Sequence, residues 1–307
     1  MTEVIELHAS GKLLITGEYL VLVGARALAL PVRFGQRMTI QQTGEQLIEW
    51  ESDDSNGVWF NAAFDTETLK IHASGRMAVA GELKKLLSAA KRLNPGFLSV
   101  SPGWKVTVSA NYPLAWGLGS SSTLCYLVAG WARVNVFELF RLVSRGSAYD
   151  IACAGSKSLL FYQLVKSRPE ITAAEPGMAL RNNTYFTYLG KKQQSSKEVD
   201  SFLDNSDFSD IDILSVSQLS TDICKADSPA ELISLVNEHE YILSTILKRE
   251  PLARRFQSFP GTVKSLGAWG GDFAMFVSAS EPEVVVNHLH GLGFVNVFPY
   301  TDLEIKS

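Results

Sequence analysis

Apolar residues recur at helical spacing over residues 77–92 (MAVAGELKKLLSAAKR), and the run stops before Asn94-Pro95-Gly96, so the stretch is predicted as an amphipathic helix. Strict alternation over 104–110 (WKVTVSA) predicts a half-buried strand. Residues 4–8 and 13–16 read as strand pieces around a turn at Gly11-Lys12, and 19–23 and 28–40 are strand-like in their β-branched, aromatic and small residues. Ser55-Asn56-Gly57 marks a hairpin turn within 44–60. An apolar run through Trp131 predicts a helix opening after Gly119, and Asn135 caps a short helix that carries Glu138. Residues 159–165 and 184–189 read as strands, 191–198 as a polar loop, and 208–225 and 229–248 as helices. Ser228, Pro229 and Glu231 form a capping-box pattern at the start of the second of these. A strand at 273–278, a helix at 281–290 and a strand at 294–298 follow, the texture of a small α+β domain. A boundary falls near residue 190, and there is no internal repeat or low-complexity tract.

Composition narrows the class. The 307 residues suit about two domains, and 46% hydrophobic with 20% charged residues excludes disordered and fibrous chains. A net charge of −4 argues against a general nucleic-acid binder. It leaves room for a phosphate ligand, because backbone N–H groups and a few cations suffice to hold one. Cys125, Cys153 and Cys224 form no CxxC pair, so neither a disulfide framework nor a zinc site is indicated. Glu18, Arg26 and Arg133 interrupt the most apolar stretches, and residues 1–10 lack a basic-then-apolar leader. A soluble cytoplasmic protein is expected, with no membrane or nucleic-acid partner.

Three glycine-rich places carry candidate chemistry. In Gly117-Leu118-Gly119-Ser120-Ser121-Ser122, glycines permit close ligand approach and small hydroxyl residues open a helix whose bare N–H groups attract anions. The serines can bond phosphate or help hold Mg²⁺. No Gly-Lys-Ser/Thr follows, so this is not a Walker A loop, and locally it reads equally as a Gly-Ser cap on an ordinary helix. The second place is 9–19 (ASGKLLITGEY), where equal parity on a strand would put Lys12 and Glu18 on one face. Alone, Lys12 reads as a solvated strand-end lysine. The third is 264–272 (KSLGAWGGD), placed between a helix and a strand, which alone passes as a turn.

Together and in this order, the three places resemble the motifs of the GHMP kinases, which include galactokinase, homoserine kinase, mevalonate kinase and phosphomevalonate kinase. Residues 113–122 match the family's Pro-x-x-x-Gly-Leu-Gly-Ser-Ser-Ala pattern with Ser122 for the usual alanine, and 267–271 match its Gly-Ala-Gly loop with Trp269 where glycine is usual. The resemblance spans nearly the whole chain. It implies an α+β, two-domain GHMP kinase fold: an N-terminal α/β domain with a mixed sheet over 1–190, a C-terminal ferredoxin-like domain over 191–307, and an active site in the interdomain cleft. It also implies ATP and Mg²⁺ as cofactors, and a monomer or homodimer is expected.

Carried over by position, the resemblance places the nucleotide on Pro113, Gly117, Leu118, Gly119, Ser120, Ser121, Ser122, Gly267, Ala268 and Gly270. Glu138 and Ser121 become the Mg²⁺ ligands, Asp150 the candidate base and Lys12 the cation on the transferring phosphoryl group. Asp150 stands in Gly146-Ser147-Ala148-Tyr149-Asp150-Ile151-Ala152, with Ala148 for the family's glycine, and this run resembles a bacterial subgroup named for its Gly-Tyr-Asp-Ile-Ala motif. Gly17-Glu18-Tyr19, Gly270-Gly271-Asp272 and the segment from Leu189 to Ser196 resemble phosphomevalonate kinases. Glu18, Tyr19, Ser147, Lys191, Ser196 and Trp269 are therefore the candidate acceptor-side residues. The stretch from Ser122 to Asp150 is shorter than in typical members. Trp116 and Trp269 sit in the glycine loops, where an indole can stack on adenine, wall the acceptor pocket or fill space. The expected reaction is phosphorylation of mevalonate, phosphomevalonate or a similar hydroxylated acid; an ATP-dependent diphosphomevalonate decarboxylase and a nucleotide-binding protein without turnover are the alternatives.

Overall fold

The computed structural model describes residues 4–99, 103–190, 202, 207–267 and 272–306. The chain divides into two compact units, one of residues 1–11, 34–114 and 118–155, the other of residues 12–33, 115–117 and 156–307.

In the first unit the strands are β1 (Val4–Leu14, through Gly11), β2 (Ala27–Thr43, from Phe34 on), β3 (Leu47–Asp54), β4 (Gly57–Asp65) and β5 (Ile71–Ser74). Helix α1 (Met77–Leu93), strand β6 (Gly103–Ala110) and helices α2 (Ser120–Ala132), α3 (Val136–Val143) and α4 (Tyr149–Ala154) follow. The strands pair in the order β5-β4-β3-β6-β2, with β1 also on β2. Strands β3 and β6 run parallel, Ile48 opposite Trp104. One face of this sheet buries Ile40, Ile48, Trp50 and Val106 against Leu83, Leu87 and Ala90 of α1 and Leu127 and Val128 of α2. Trp131 presents its ring edge-on to Phe97 at 4.8 Å and Trp104 at 5.7 Å, an arrangement that favours aromatic pairs beyond simple burial.

In the second unit the first residues of β2 pair with β7 (Leu160–Val165), and β7 pairs with β8 (Arg168–Ala173). Then come α5 (Met178–Asn182), β9 (Thr184–Tyr188), α6 (Asp210–Lys225), α7 (Pro229–Leu247), β10 (Thr262–Leu266), β11 (Phe273–Val277), α8 (Pro282–Gly291), β12 (Val297–Pro299) and α9 (Tyr300–Leu303). A small antiparallel sheet is ordered β10-β11-β9-β12. Its core holds Tyr185, Val263, Ala274, Phe276, Val285 and Leu289. The chain is thus α+β, with a large mixed sheet and a second, smaller one.

Most predicted elements are present, and four expectations need correction. Strand β1 runs unbroken through Gly11-Lys12. Gly11 is there for close packing rather than for a turn, since a Cβ would lie 2.7 Å from the Phe34 carbonyl and 2.9 Å from that of Leu118. Residues 19–23 form no strand; Leu20–Val23 is a 3₁₀ helix, closed between Gly17 at φ 83° and Gly24 at φ 101°. The third glycine loop leaves a strand, β10, and not a helix. The capping pattern at 228–231 is half made: Ser228 accepts the Glu231 N–H at 3.3 Å, but the Glu231 carboxylate takes the Asp227 N–H. The hairpin at Ser55-Asn56-Gly57 forms as expected, with Ser55 and Asn56 in the turn and Asp54 facing Gly57.

A Cβ at Gly35 would meet the Ala9 carbonyl oxygen at 2.2 Å and the Ser10 Cα at 3.2 Å, both backbone atoms that cannot swing aside. Gly35→Ala is expected to destabilise the protein by about 1–3 kcal/mol in denaturant unfolding, the usual cost of overpacking; an unchanged midpoint would show that β1 is not pressed on β2 there.

Candidate functional site

The loop at 113–122 is built from two backbone reversals. After Pro113 and the 3₁₀ turn Leu114–Trp116, Gly117 takes φ 71° and Gly119 φ 91°, with Leu118 buried between them. Only glycine adopts such angles at no steric cost. Gly119 is the N-cap of α2 and offers no side chain to its first turn. Ser122 N–H and Thr123 N–H both turn back to the Gly119 carbonyl at 3.0 Å. The amides of Ser120 and Ser121 precede the first intrahelical bond and face outward with the helix dipole behind them. Ser121 is exposed and Ser120 half-buried.

In the second unit, Lys12 Nζ donates to the Gly117 carbonyl at 3.2 Å. The Asp272 carboxylate lies so close to Gly117 that a Cβ there would be 1.8 Å from Oδ2. Leu189 N–H donates to the Asp272 carbonyl at 2.8 Å, which ties β9 to the same place. One residue of each glycine-rich segment, Lys12, Gly117 and Asp272, therefore meets at a single point. Trp116 is packed among Tyr188, Phe273 and Phe298 with centroids at 6.4, 6.0 and 5.5 Å. These three rings belong to strands of the small sheet and not to the helices that follow Ser122.

In the first unit, Asp150 is the second residue of α4, and Ser122 Oγ donates to its Oδ2. Its Oδ1 accepts the Ile151 N–H at 3.1 Å. Ala148 precedes the helix at φ 67°, the left-handed conformation that the family's glycine would adopt without strain. Ser147 is buried beside it and Tyr149 half-buried. Glu138 stands exposed in the first turn of α3, where Asn135 Oδ1 accepts the amides of Phe137 and Glu138. Gly267 opens the third loop at φ 76°. Ala268, Trp269, Gly270, Lys191 and Ser196 lie outside the described residues.

Glu18 and Tyr19 are not where strand parity would put them. The strand ends at Leu14, and both residues are buried in the turn that follows. Tyr19 sits at φ 62°, against Phe202 at 5.2 Å. Glu18 Oε1 accepts from Lys264 Nζ at 2.5 Å, and Glu240 Oε1 from α7 accepts from the same ammonium at 3.2 Å. Burial, reinforced by the Glu240 charge and opposed by Lys264, raises Glu18 to about 7. Burial raises Glu240 too, against the pull of Lys264. Burial works against the Lys264 charge, but the two carboxylates outweigh it and raise its pKa. His239 Nε2 accepts the Gly17 N–H at 3.1 Å. Burial, then Lys264, holds this imidazole neutral, so its 3.7 Å approach to Glu18 is not an ion pair. Glu240 and His239 were not singled out from the sequence, and Lys264 and Asp272 entered only as the ends of the third glycine-rich segment. In the structure that lysine lies in a wholly buried strand, Thr262-Val263-Lys264-Ser265-Leu266.

Among the described residues no helix is long and apolar enough to cross a membrane, and no group of three His, Cys, Asp or Glu side chains is set to hold a metal. No family model and no curated protein matches the chain. Solved structures do. The mevalonate kinase of Methanococcus jannaschii superposes with a TM-score of 0.68 at 17% identity, covering 97% of each chain. The fold is that of the GHMP kinases. The phosphomevalonate kinase of Streptococcus pneumoniae, in complex with phosphomevalonate and AMPPNP, gives 0.71 at 17% identity over 96% of this chain and 99% of that one. The galactokinase of Lactococcus lactis, complexed with galactose, gives 0.65 at 15% identity over 99% and 94%. One GHMP kinase fold thus serves acids and sugars alike, and acceptor choice must come from individual side chains.

The buried cluster makes two measurable predictions. Lys264→Met leaves Glu18 and Glu240 without their cation and is expected to cost about 3–5 kcal/mol in denaturant unfolding. The raised Glu18 contributes stability that is fully present below its unfolded value of 4.5 and is lost as pH rises through about 7. Glu18→Gln cannot ionise, so wild type should lose up to ~3 kcal/mol relative to this variant between pH 4 and pH 8. His239 has the opposite slope, losing stability as pH falls below the ordinary imidazole value of 6.5, but it is present in both proteins and largely cancels in the difference. A pH-independent difference would show that Glu18 ionises normally.

Proposed function

We propose that the protein is an ATP-dependent kinase that transfers a terminal phosphoryl group to a small hydroxylated acid of the mevalonate or phosphomevalonate type. The observation that carries this reading is the loop at 117–122: two left-handed glycines deliver the uncapped N-terminus of α2, and its first turn also holds the Asp150 carboxylate. An anion cradle and a proton acceptor thus stand side by side within one unit. The presence of mevalonate and phosphomevalonate kinases among the structures of like fold supports the acceptor class.

The roles follow from the chemistry. Phosphoryl transfer depends on alignment and charge neutralisation more than on covalent help. The Ser120 and Ser121 amides receive phosphate oxygens, and the resemblance gives Lys12 the role of the cation on the transferring phosphoryl group. Asp150 orients the acceptor hydroxyl and takes its proton as the new O–P bond forms and the bond to the departing ADP breaks. Ser121 and Glu138, both exposed oxygen donors, would hold Mg²⁺, a hard cation that takes one or two carboxylates plus phosphate oxygens and water, and the ion would neutralise phosphate charge.

ADP release from Mg-ATP, with mevalonate, phosphomevalonate, homoserine and galactose in parallel, tests the reading. Turnover is expected with a mevalonate-type acid and should fall by about 10²–10⁴-fold in Asp150→Asn, the usual contribution of a general base. Turnover confined to galactose or homoserine would overturn the acceptor class. Tight AMPPNP binding with no turnover on any acceptor would overturn the kinase.

A further inference from the structure

Ser122 stands where the family's pattern has alanine, and its hydroxyl has a specific partner. It is the third residue of α2, nearly buried, and donates to Asp150 Oδ2, while Oδ1 accepts the Ile151 amide at 3.1 Å. Two donors from two directions fix the carboxylate plane, and each oxygen keeps a further lone pair for an acceptor hydroxyl. One turn further along α2, the buried Cys125 thiol is pushed up to about 12, by burial and then by the Asp150 charge. It stays a neutral thiol and does not compete for the proton. An alanine at 122 leaves Oδ2 without its donor and the carboxylate free to turn about its side-chain bonds.

We propose that Ser122 is a positioning residue that locks the Asp150 carboxylate for the acceptor, and is not part of the phosphate cradle to which the family's pattern assigns it. The proposal rests on the kinase reading above, with Asp150 as the base. An orienting contact of this kind acts on the chemical step and leaves ground-state binding alone.

Ser122→Ala restores the family's residue and removes one oxygen, so it should fold. On the acceptor that wild type turns over, kcat is expected to fall about tenfold, with acceptor KM and AMPPNP affinity each within about twofold of wild type. The Tm losses of Ser122→Ala and Asp150→Asn should be non-additive in the double variant, because the two side chains share one hydrogen bond. An unchanged kcat overturns the proposal. So does a loss of AMPPNP affinity as large as the loss in kcat, which would return Ser122 to the phosphate cradle. Additive Tm losses overturn it without reference to turnover. Failure of the kinase reading is separately recognised, since the wild type itself would then be silent on every acceptor.

Discussion

A lysine with no solvent exposure, held between two carboxylates, organises the second unit. Lys264 leaves β10, Glu18 comes from the turn after β1, and Glu240 comes from α7. Taking three ionisable groups out of water is expensive, and such a cluster is weak evidence for stability in itself. Its consequence is geometric. A buried ammonium tolerates no rearrangement that separates it from its partners, so the three elements hold one register. Two of them adjoin the glycine-rich segments: the turn bearing Glu18 follows β1, which carries Lys12, and β10 ends at Leu266, just before Gly267.

The cluster also carries a charge imbalance. With one ammonium and two carboxylates it would bury a net negative charge at neutral pH unless one acid keeps its proton. Burial supplies that proton to Glu18, whose Oε2 has no hydrogen-bond partner among the described residues and so has room for it. His239 does not share the burden: its Nε2 is committed to the Gly17 amide. The turn carrying Gly17, Glu18 and Tyr19 is therefore specified by electrostatics and by a left-handed glycine together, and Tyr19 is carried into its own positive φ as a result.

What was legible in the sequence was local. Glycine at positive φ, an asparagine cap on α3, the Asn-Gly hairpin and the period of α1 all depend on residues within a few positions of each other, and all are found. Glu18 was not legible because its partner is 246 residues away, and because parity presumes a strand that in fact stops at Leu14. Strand β10 hid behind the glycine loop that follows it. Ser122 was visible only as a departure from a pattern. Its partner Asp150 lies 28 residues on, across a helix and a turn, and only the fold brings them together. Chemistry carried by backbone conformation can be read from a string of residues, whereas chemistry carried by side-chain pairing across the fold cannot.

The loop at 117–122 draws its rigidity from outside its own sequence. A Gly-Leu-Gly-Ser run is flexible as a peptide, since each glycine has extra backbone freedom to lose on folding. Here Leu118 is buried, Trp116 is wedged among three aromatic rings, Gly117 is closed over by the Asp272 carboxylate, and the carbonyl of Gly117 is held by Lys12. Each contact removes freedom before any ligand arrives, so the entropy of ordering the loop falls on folding and not on binding. The indole in the second loop, which looked like an intrusion into a nucleotide motif, serves that end: it anchors the residue before Gly117 and leaves the amides of Ser120 and Ser121 facing outward from a fixed helix end.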